Sequence, residues 1–400
     1  MCALRIISNA DLWTISDNQK RFGHLGTRDR ANPSISYDHP GKTNALLTAA
    51  QSLQSAIAAG IFHTHLAPLS MTISTRYATS AEALRAHPEE YLNSLETASS
   101  DALERAKRGE DPIAPFGKEA DVSPGTYNAA LRSVGAALDA VDTVLSDASD
   151  TAFALVWPPG HHAEPIQAMG FCYLSTAAIA ALYARDHSVQ IRAGHKNRVV
   201  LIDIDHHRGN GSAAVLANQP EVLFIDQAYR SHYDPRLQRY VDGPYDPATD
   251  TYEGAGREFP YEHTDKFLGV TAHPMASAPN IHKVEFEGFQ SAETVIRTFF
   301  TRVMPAVKEF NPDVILWSVG LDSAKGDPVG GLGLEPESFY TFIKGMRLAF
   351  PDIKHCGILE GGYHPELGAA CIVPTLLGFH DAPEQICYDS FSPYQGAFKK

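Results

Sequence analysis

Seven residues of this chain have the types and spacings for metal-assisted hydrolysis. They are the adjacent pair His161-His162, the run Asp203, Asp205 and His207, a further acid at Asp327, and a phenol at Tyr363. In extended backbone, residues two apart point to the same face, so Asp205 and His207 can grip one ion, with Asp203 one step deeper on that face and His206 turned away. Asp327, from another loop, could close the set. Two carboxylates and one imidazole with an open coordination position suit a catalytic zinc, which acidifies a water. Such a site is a weaker Lewis acid than one built from three histidines. It needs a base and a carbonyl-polarising donor. Of His161 and His162, one can move a proton to and from the reacting atoms. The other can be held by a buried acid, for which Asp203 is the best candidate. Tyr363 follows Gly361-Gly362, whose backbone can turn sharply and approach a ligand, and its hydroxyl can donate to an oxyanion.

Each of these residues follows an apolar, strand-like run. TAFALVWPPG leads to His161-His162, RVVLIDID to His206-His207, DVILWSVGLD to Lys325-Gly326-Asp327, and IKHCGILEGG to Tyr363-His364. In open α/β sheets ligands bind beyond the carboxyl ends of the strands. The pattern therefore predicts a parallel sheet with all four loops at one edge.

The flanking segments fit an α/β domain with helices on both faces of the sheet. Residues 4–8 read as a first strand and 71–78 as β-rich. Helices are expected over 43–59, ended by Gly60; over 81–97, interrupted near Pro88; over 126–146, with Ala130, Val134, Leu138, Val141 and Leu145 on one stripe; and over 174–183. Residues 109–125 read as a Pro/Gly loop. Residues 234–283, rich in Tyr, Pro, Gly and Asp, read as a long irregular insertion, the kind of segment that serves as a lid, a binding loop or a contact between subunits. All 400 residues are read as one domain.

The chain holds 33 Lys plus Arg against 47 Asp plus Glu, a formal charge of −14. That argues against a general nucleic-acid binder and fits attraction of cationic substrates. With 44% hydrophobic and 20% charged residues it can bury a full core. Cys2, Cys172, Cys356, Cys371 and Cys387 include no CxxC pair, so neither a disulfide framework nor a zinc knuckle is indicated. Without an apolar run long enough to span a bilayer or a signal pattern at the N-terminus, the expected location is cytoplasmic.

The runs PPGHHAEP, MGFCYLSTAAIAA, DIDHHRGNGS, GLDSAKGDPVGGL and LEGGYH resemble the signatures of zinc-dependent histone deacetylases and the acetylpolyamine amidohydrolases. YDHPGKTNALL, LRAHPEEYLNSL and VSPGTYNAALRSVGAALDAVD are also similar, and the resemblance covers most of residues 1–380. It implies the arginase–deacetylase fold, with zinc on Asp205, His207 and Asp327. It implies His162 as the main proton shuttle, His161 as its electrostatic partner paired with Asp203, and Tyr363 polarising the acyl carbonyl. Gly170 and Phe171 would line a narrow tunnel also bordered by Gly361 and Gly362. Glu119 or Asp121 would stand at its mouth. A potassium ion would sit on carbonyls near Asp203, Asp205 and His207. Asn210 stands where some relatives carry Asp as partner to the second histidine.

Three departures stand out. His206 replaces an apolar residue, and Arg208 replaces a histidine. Asp226-Gln227-Ala228 replaces a Ser-Leu-His segment, which alters the potassium site and one tunnel wall, a wall that Tyr229 or Tyr233 could supply instead. The expected activity is removal of an acyl group from an N-acylated amine such as acyl-lysine or acetylpolyamine, with association of copies through residues 234–283. A binuclear arginase-like enzyme needs another carboxylate where Gly209 stands. A non-catalytic acyl-binding module would be favoured by loss of Tyr363 or a ligand, and all are present.

Overall fold

A computed structural model describes residues 4–9, 40–62, 66–188, 197–230, 278–287, 290–330, 333–380 and 382, together with short strands at 232–234, 239–241, 245–246 and 251–252. Eight strands form the central sheet: β1 (Leu4–Ser8), β2 (Leu69–Ile73), β3 (Thr151–Leu155), β4 (Val199–Asp203), β5 (Val222–Arg230), β6 (Ile281–Glu287), β7 (Val314–Val319) and β8 (Lys354–Leu359). Their order is β6-β5-β4-β7-β8-β3-β1-β2, and every pairing is parallel.

The inner strands are near-continuous apolar runs because both faces are covered. Alternate residues serve different cores. Phe153, Leu155, Val200 and Ile202 pack with helices Pro40–Ala58, Ala292–Phe310, Pro336–Ala349 and Pro365–His380. Ala152, Ala154, Val199 and Leu201 pack with helices Glu89–Arg108, Thr126–Leu145 and Thr176–Ser188.

Local signals set the helix ends. Thr79 and Glu82 make a reciprocal capping box at the short helix Ser80–Ala83. Helix Glu89–Arg108 starts after Pro88 and stops at Gly109, which adopts a φ of 85°. Glu89 and Glu90 lie in its first turn and Arg105, Lys107 and Arg108 in its last, the arrangement that complements the helix dipole.

Three sequence expectations need correction. The 109–125 stretch holds a hairpin, Ala114–Gly117 against Ala120–Val122. Helix Thr126–Leu145 is buried well beyond the expected stripe, with Arg132, Ser133 and Gly135 also enclosed, because the helix at 176–188 and the sheet both pack on it. The irregular stretch expected to reach 283 ends earlier, since edge strand β6 begins at Ile281. Most of residues 234–277, and with them the expected subunit contact, lie outside the described residues.

Candidate active site

The strand order decides the geometry. β4, β7, β8 and β3 are neighbours in the middle of the sheet, and their carboxyl ends carry the Asp203–His207 loop, the 320–330 loop, the Glu360–Tyr363 loop and the His161-His162 loop. Residues separated by two hundred positions therefore meet.

Asp205 is fully buried and tied down on both oxygens: Oδ1 accepts the His207 amide at 2.8 Å and Oδ2 the Gly361 amide at 3.0 Å. His207 Nδ1 lies 3.2 Å from Asp205 Oδ1 and 3.0 Å from Asp322 Oδ2. Burial opposes charge on this imidazole, but the two carboxylates outweigh it and push its pKa up to about 10. Burial likewise opposes ionisation of Asp205, yet His161 and His207 hold its carboxyl far below the ordinary range. Burial and repulsion from Asp205 raise Asp322 to about 6. One donor atom from each of Asp205, His207 and Asp322 can be chosen within 4.8 Å of the others. A buried nest of acids around a proton-binding imidazole is a place made for positive charge, and its N and O donors fit zinc.

The third ligand expected from sequence was Asp327, whereas the grouping contains Asp322. Asp327 lies on the same loop, 7% exposed, and its carboxylate is oriented by backbone amides: Tyr363 at 2.8 Å on Oδ2, Val329 at 2.9 Å and Gly330 at 3.2 Å on Oδ1. Sequence reading passed over Asp322, although it too directly follows an apolar strand. A second grouping, His161, Cys172 and Glu360, is committed elsewhere: His161 Nδ1 bonds Asp203, and Glu360 accepts backbone amides.

The surroundings of the two neighbouring histidines push them in opposite directions. Their ring centroids are 4.0 Å apart. His161 Nδ1 lies 3.1 Å from Asp203 Oδ2, and Asp203 Oδ1 also accepts the Asp205 amide at 3.0 Å. Burial disfavours the His161 cation, but Asp205 and Asp203 raise its pKa well above the usual value. His162 moves the opposite way: burial, then repulsion from His161 and His207, hold it well below the usual value. Its Nδ1 donates to Asn210 Oδ1 at 2.7 Å, and Asn210 Nδ2 donates to Glu164 at 2.8 Å. That leaves Nε2 of a neutral His162 able to take a proton.

Glu360, also missed from sequence, ties two loops together. Its Oε2 accepts the amides of Gly160 at 2.7 Å and His161 at 3.0 Å, and its Oε1 accepts the Ser318 hydroxyl at 3.1 Å. Gly361 and Gly362 are constrained as well. A Cβ on Gly361 would strike the Asp322 carboxylate and come within 2.7 Å of Asp205 Oδ2, and Gly362 has a φ of 129°.

Tyr363 is 5% exposed, and its ring meets Phe171 edge-on at 5.5 Å between centroids. Phe171 and Gly170 both have positive φ, and their amides donate hydrogen bonds to the carbonyls of Glu119 and Lys118 respectively. Glu119 is partly exposed beside this wall. Asp121 is buried, and its carbonyl accepts the Tyr173 hydroxyl. The side chains of Tyr229 and Tyr233 lie outside the described residues. Among the described residues no helix is long and apolar enough to cross a membrane, and Cys172, Cys356 and Cys371 are buried free thiols.

The departures at Arg208 and Asp226 form a pair. Asp226 stands beside Asp203 in the sheet register, its Oδ1 accepts the Gly209 amide at 3.1 Å, and Arg208 Nε lies 3.2 Å from its Oδ2.

The architecture aligns with the crystal structure of the HD domain of HDA15, with a TM-score of 0.69 and 23% identity over 99% of this chain and 96% of that one. The histone deacetylase domain family matches residues 39–377, and this chain belongs to that family. It is 30% identical to histone deacetylase 8 of Arabidopsis thaliana, over 78% of this chain and 74% of the relative. It is 31% identical to a histone deacetylase-like amidohydrolase of Pseudomonas aeruginosa, over 76% and 70%. A polyamine deacetylase of Danio rerio is 29% identical over 75% of this chain, which spans 39% of that protein's length.

Proposed function

We propose that the protein is a zinc-dependent amidohydrolase that removes a short acyl group from an N-acylated amine. The observation that carries this reading is the convergence of His161 and His162, each fixed through Nδ1 by Asp203 and Asn210 respectively, on the Asp205–His207 acid nest. A zinc ion on Asp205, His207 and one acid of the 320–330 loop, Asp327 by the family resemblance of that loop, would supply Lewis acidity to a water and to the acyl carbonyl. Neutral His162 takes the proton from the attacking water on Nε2. Cationic His161, balanced by Asp203, stabilises the negative charge that develops. Tyr363 donates its hydroxyl hydrogen bond to the oxyanion. His162 then returns the proton to the leaving amine. Phe171, packed on Tyr363, forms an apolar wall for an extended alkyl chain. Glu119, partly exposed next to it, suits a cationic or amide-bearing substrate.

Behind the ligand loop, any potassium ion would stand beside charges that the protein itself supplies. The Arg208 guanidinium already supplies positive charge to Asp226, next to Asp203. We therefore assign that charge balance to the protein itself.

The test is a panel on zinc-loaded protein, acetyl-lysine peptides against acetylated diamines and spermidine, with acetate release as readout. Turnover of at least one member is expected, and Tyr363→Phe is expected to lower kcat by roughly 10²–10³-fold. No acetate from any member, with zinc bound at one per chain, would defeat the proposal and leave an acyl-chain binding module.

A further inference from the structure

Lys42 is the third residue of helix Pro40–Ala58, on an element that none of the four catalytic loops includes. Lysine is among the residue types least often buried, yet Lys42 is only 3% exposed. Its Nζ lies 4.2 Å from the centroid of the Tyr363 ring. The same ring also meets Phe171, edge-on at 5.5 Å. The backbone is tied too, because the Tyr363 amide donates to Asp327 at 2.8 Å, and the charge of Lys42 stabilises that carboxylate.

An ammonium over an aromatic face is attracted to the ring quadrupole, and the interaction strengthens where water is excluded. It also draws electron density from the ring, which makes a phenol hydroxyl a stronger hydrogen-bond donor. The gain is greatest when the acceptor gains negative charge, which is the condition of a transition state and not of bound substrate.

We propose that Lys42 is a positioning residue for Tyr363: its buried ammonium holds the phenol ring against Phe171 and strengthens the hydroxyl's hydrogen bond to the developing oxyanion. The inference rests on the reading of Tyr363 as oxyanion donor. The competing role is purely structural, a cation that neutralises Asp327 and keeps the ligand loop folded.

The two roles separate in a double-variant cycle on zinc-loaded protein. Lys42→Met, Lys42→Gln and Lys42→Arg are compared in the native and Tyr363→Phe backgrounds, with metal content and melting temperature measured for each. The substrate is an acetyl-lysine peptide or an acetylated diamine, whichever is turned over faster. Loss of the charge is expected to lower kcat about tenfold with KM changed less than about twofold. Lys42→Arg is expected to recover most of that loss. In the Tyr363→Phe background, removing the charge is expected to change nothing further, because the hydroxyl it acts through is gone. The inference is overturned by an unchanged kcat in Lys42→Met, by an equal loss in both backgrounds, by a loss that tracks metal content, or by failure of both neutral variants to fold. Retention of full activity by Tyr363→Phe alone would instead bring down the reading of Tyr363, and with it the inference.

Discussion

His161 and His162 share a turn and are both buried, yet their surroundings push their pKa values in opposite directions. Asp203 of β4 reaches His161, while the Nδ1 of His162 meets the neutral Asn210. With its pKa held below the usual value, His162 is already neutral at pH 7. A base must be neutral, so kcat/KM should rise through that depressed pKa and level off below neutrality. Asn210→Asp places a negative charge on Nδ1 and favours the cation. The pKa then rises and the acidic limb of the pH–rate profile moves to higher pH. The check is the profile of kcat/KM from pH 5 to 9; a limb that stays in place or moves down contradicts the assignment of His162 as base. The two histidines, the DxH pair and Tyr363 were legible because their types are rare together at strand ends. Glu360 and Lys42 were not. Their roles depend on which amides and which ring they meet across the fold, and an acid before two glycines or a lysine in a helix carries no such information in one dimension.

Four loops, each short and each following a buried strand, hold the donor atoms. The 320–330 loop offers two acids, and the structure does not treat them alike. Asp322 is fully enclosed against His207, whereas Asp327 is slightly exposed and pinned by three amides. If Asp327 is the ligand, Asp327→Asn lowers zinc content well below one per chain, while Asp322→Asn retains metal and mainly perturbs His207. The reverse result reassigns the ligand to Asp322. Metal analysis after dialysis decides between them. Gly361→Ala is expected to disable the site with either ligand set, because its methyl group would meet the Asp322 and Asp205 carboxylates. The helices and strands that carry these loops were readable from apolar periodicity, since packing against a sheet imposes it. The hairpin at 114–122 was not, because Pro and Gly obscured so short a pairing, and β6 was hidden inside a stretch without periodicity.

For the molecule as a whole, several like charges are enclosed at one rim of the sheet, so a bound cation should stabilise the folded chain by mass action. At metal one hundred times its dissociation constant the gain is about 2.7 kcal/mol, so removing it with a chelator should lower the melting temperature by ~3 °C. Exchange of potassium for sodium should leave both melting temperature and kcat unchanged within error, given the Arg208–Asp226 pair. A strong potassium requirement would mean that the guanidinium does not fill that role.

The side-by-side placement of β4, β7, β8 and β3 has a further result for how the protein matures. Neighbours in that row come from stretches up to about two hundred positions apart, and such distant pairings form slowly because a large loop must close before any contact rewards it. No fragment owns the chemistry. During refolding, helix signal should return before catalysis does, and a nick that frees the last two strands should silence the enzyme while leaving the earlier half of its helices in place.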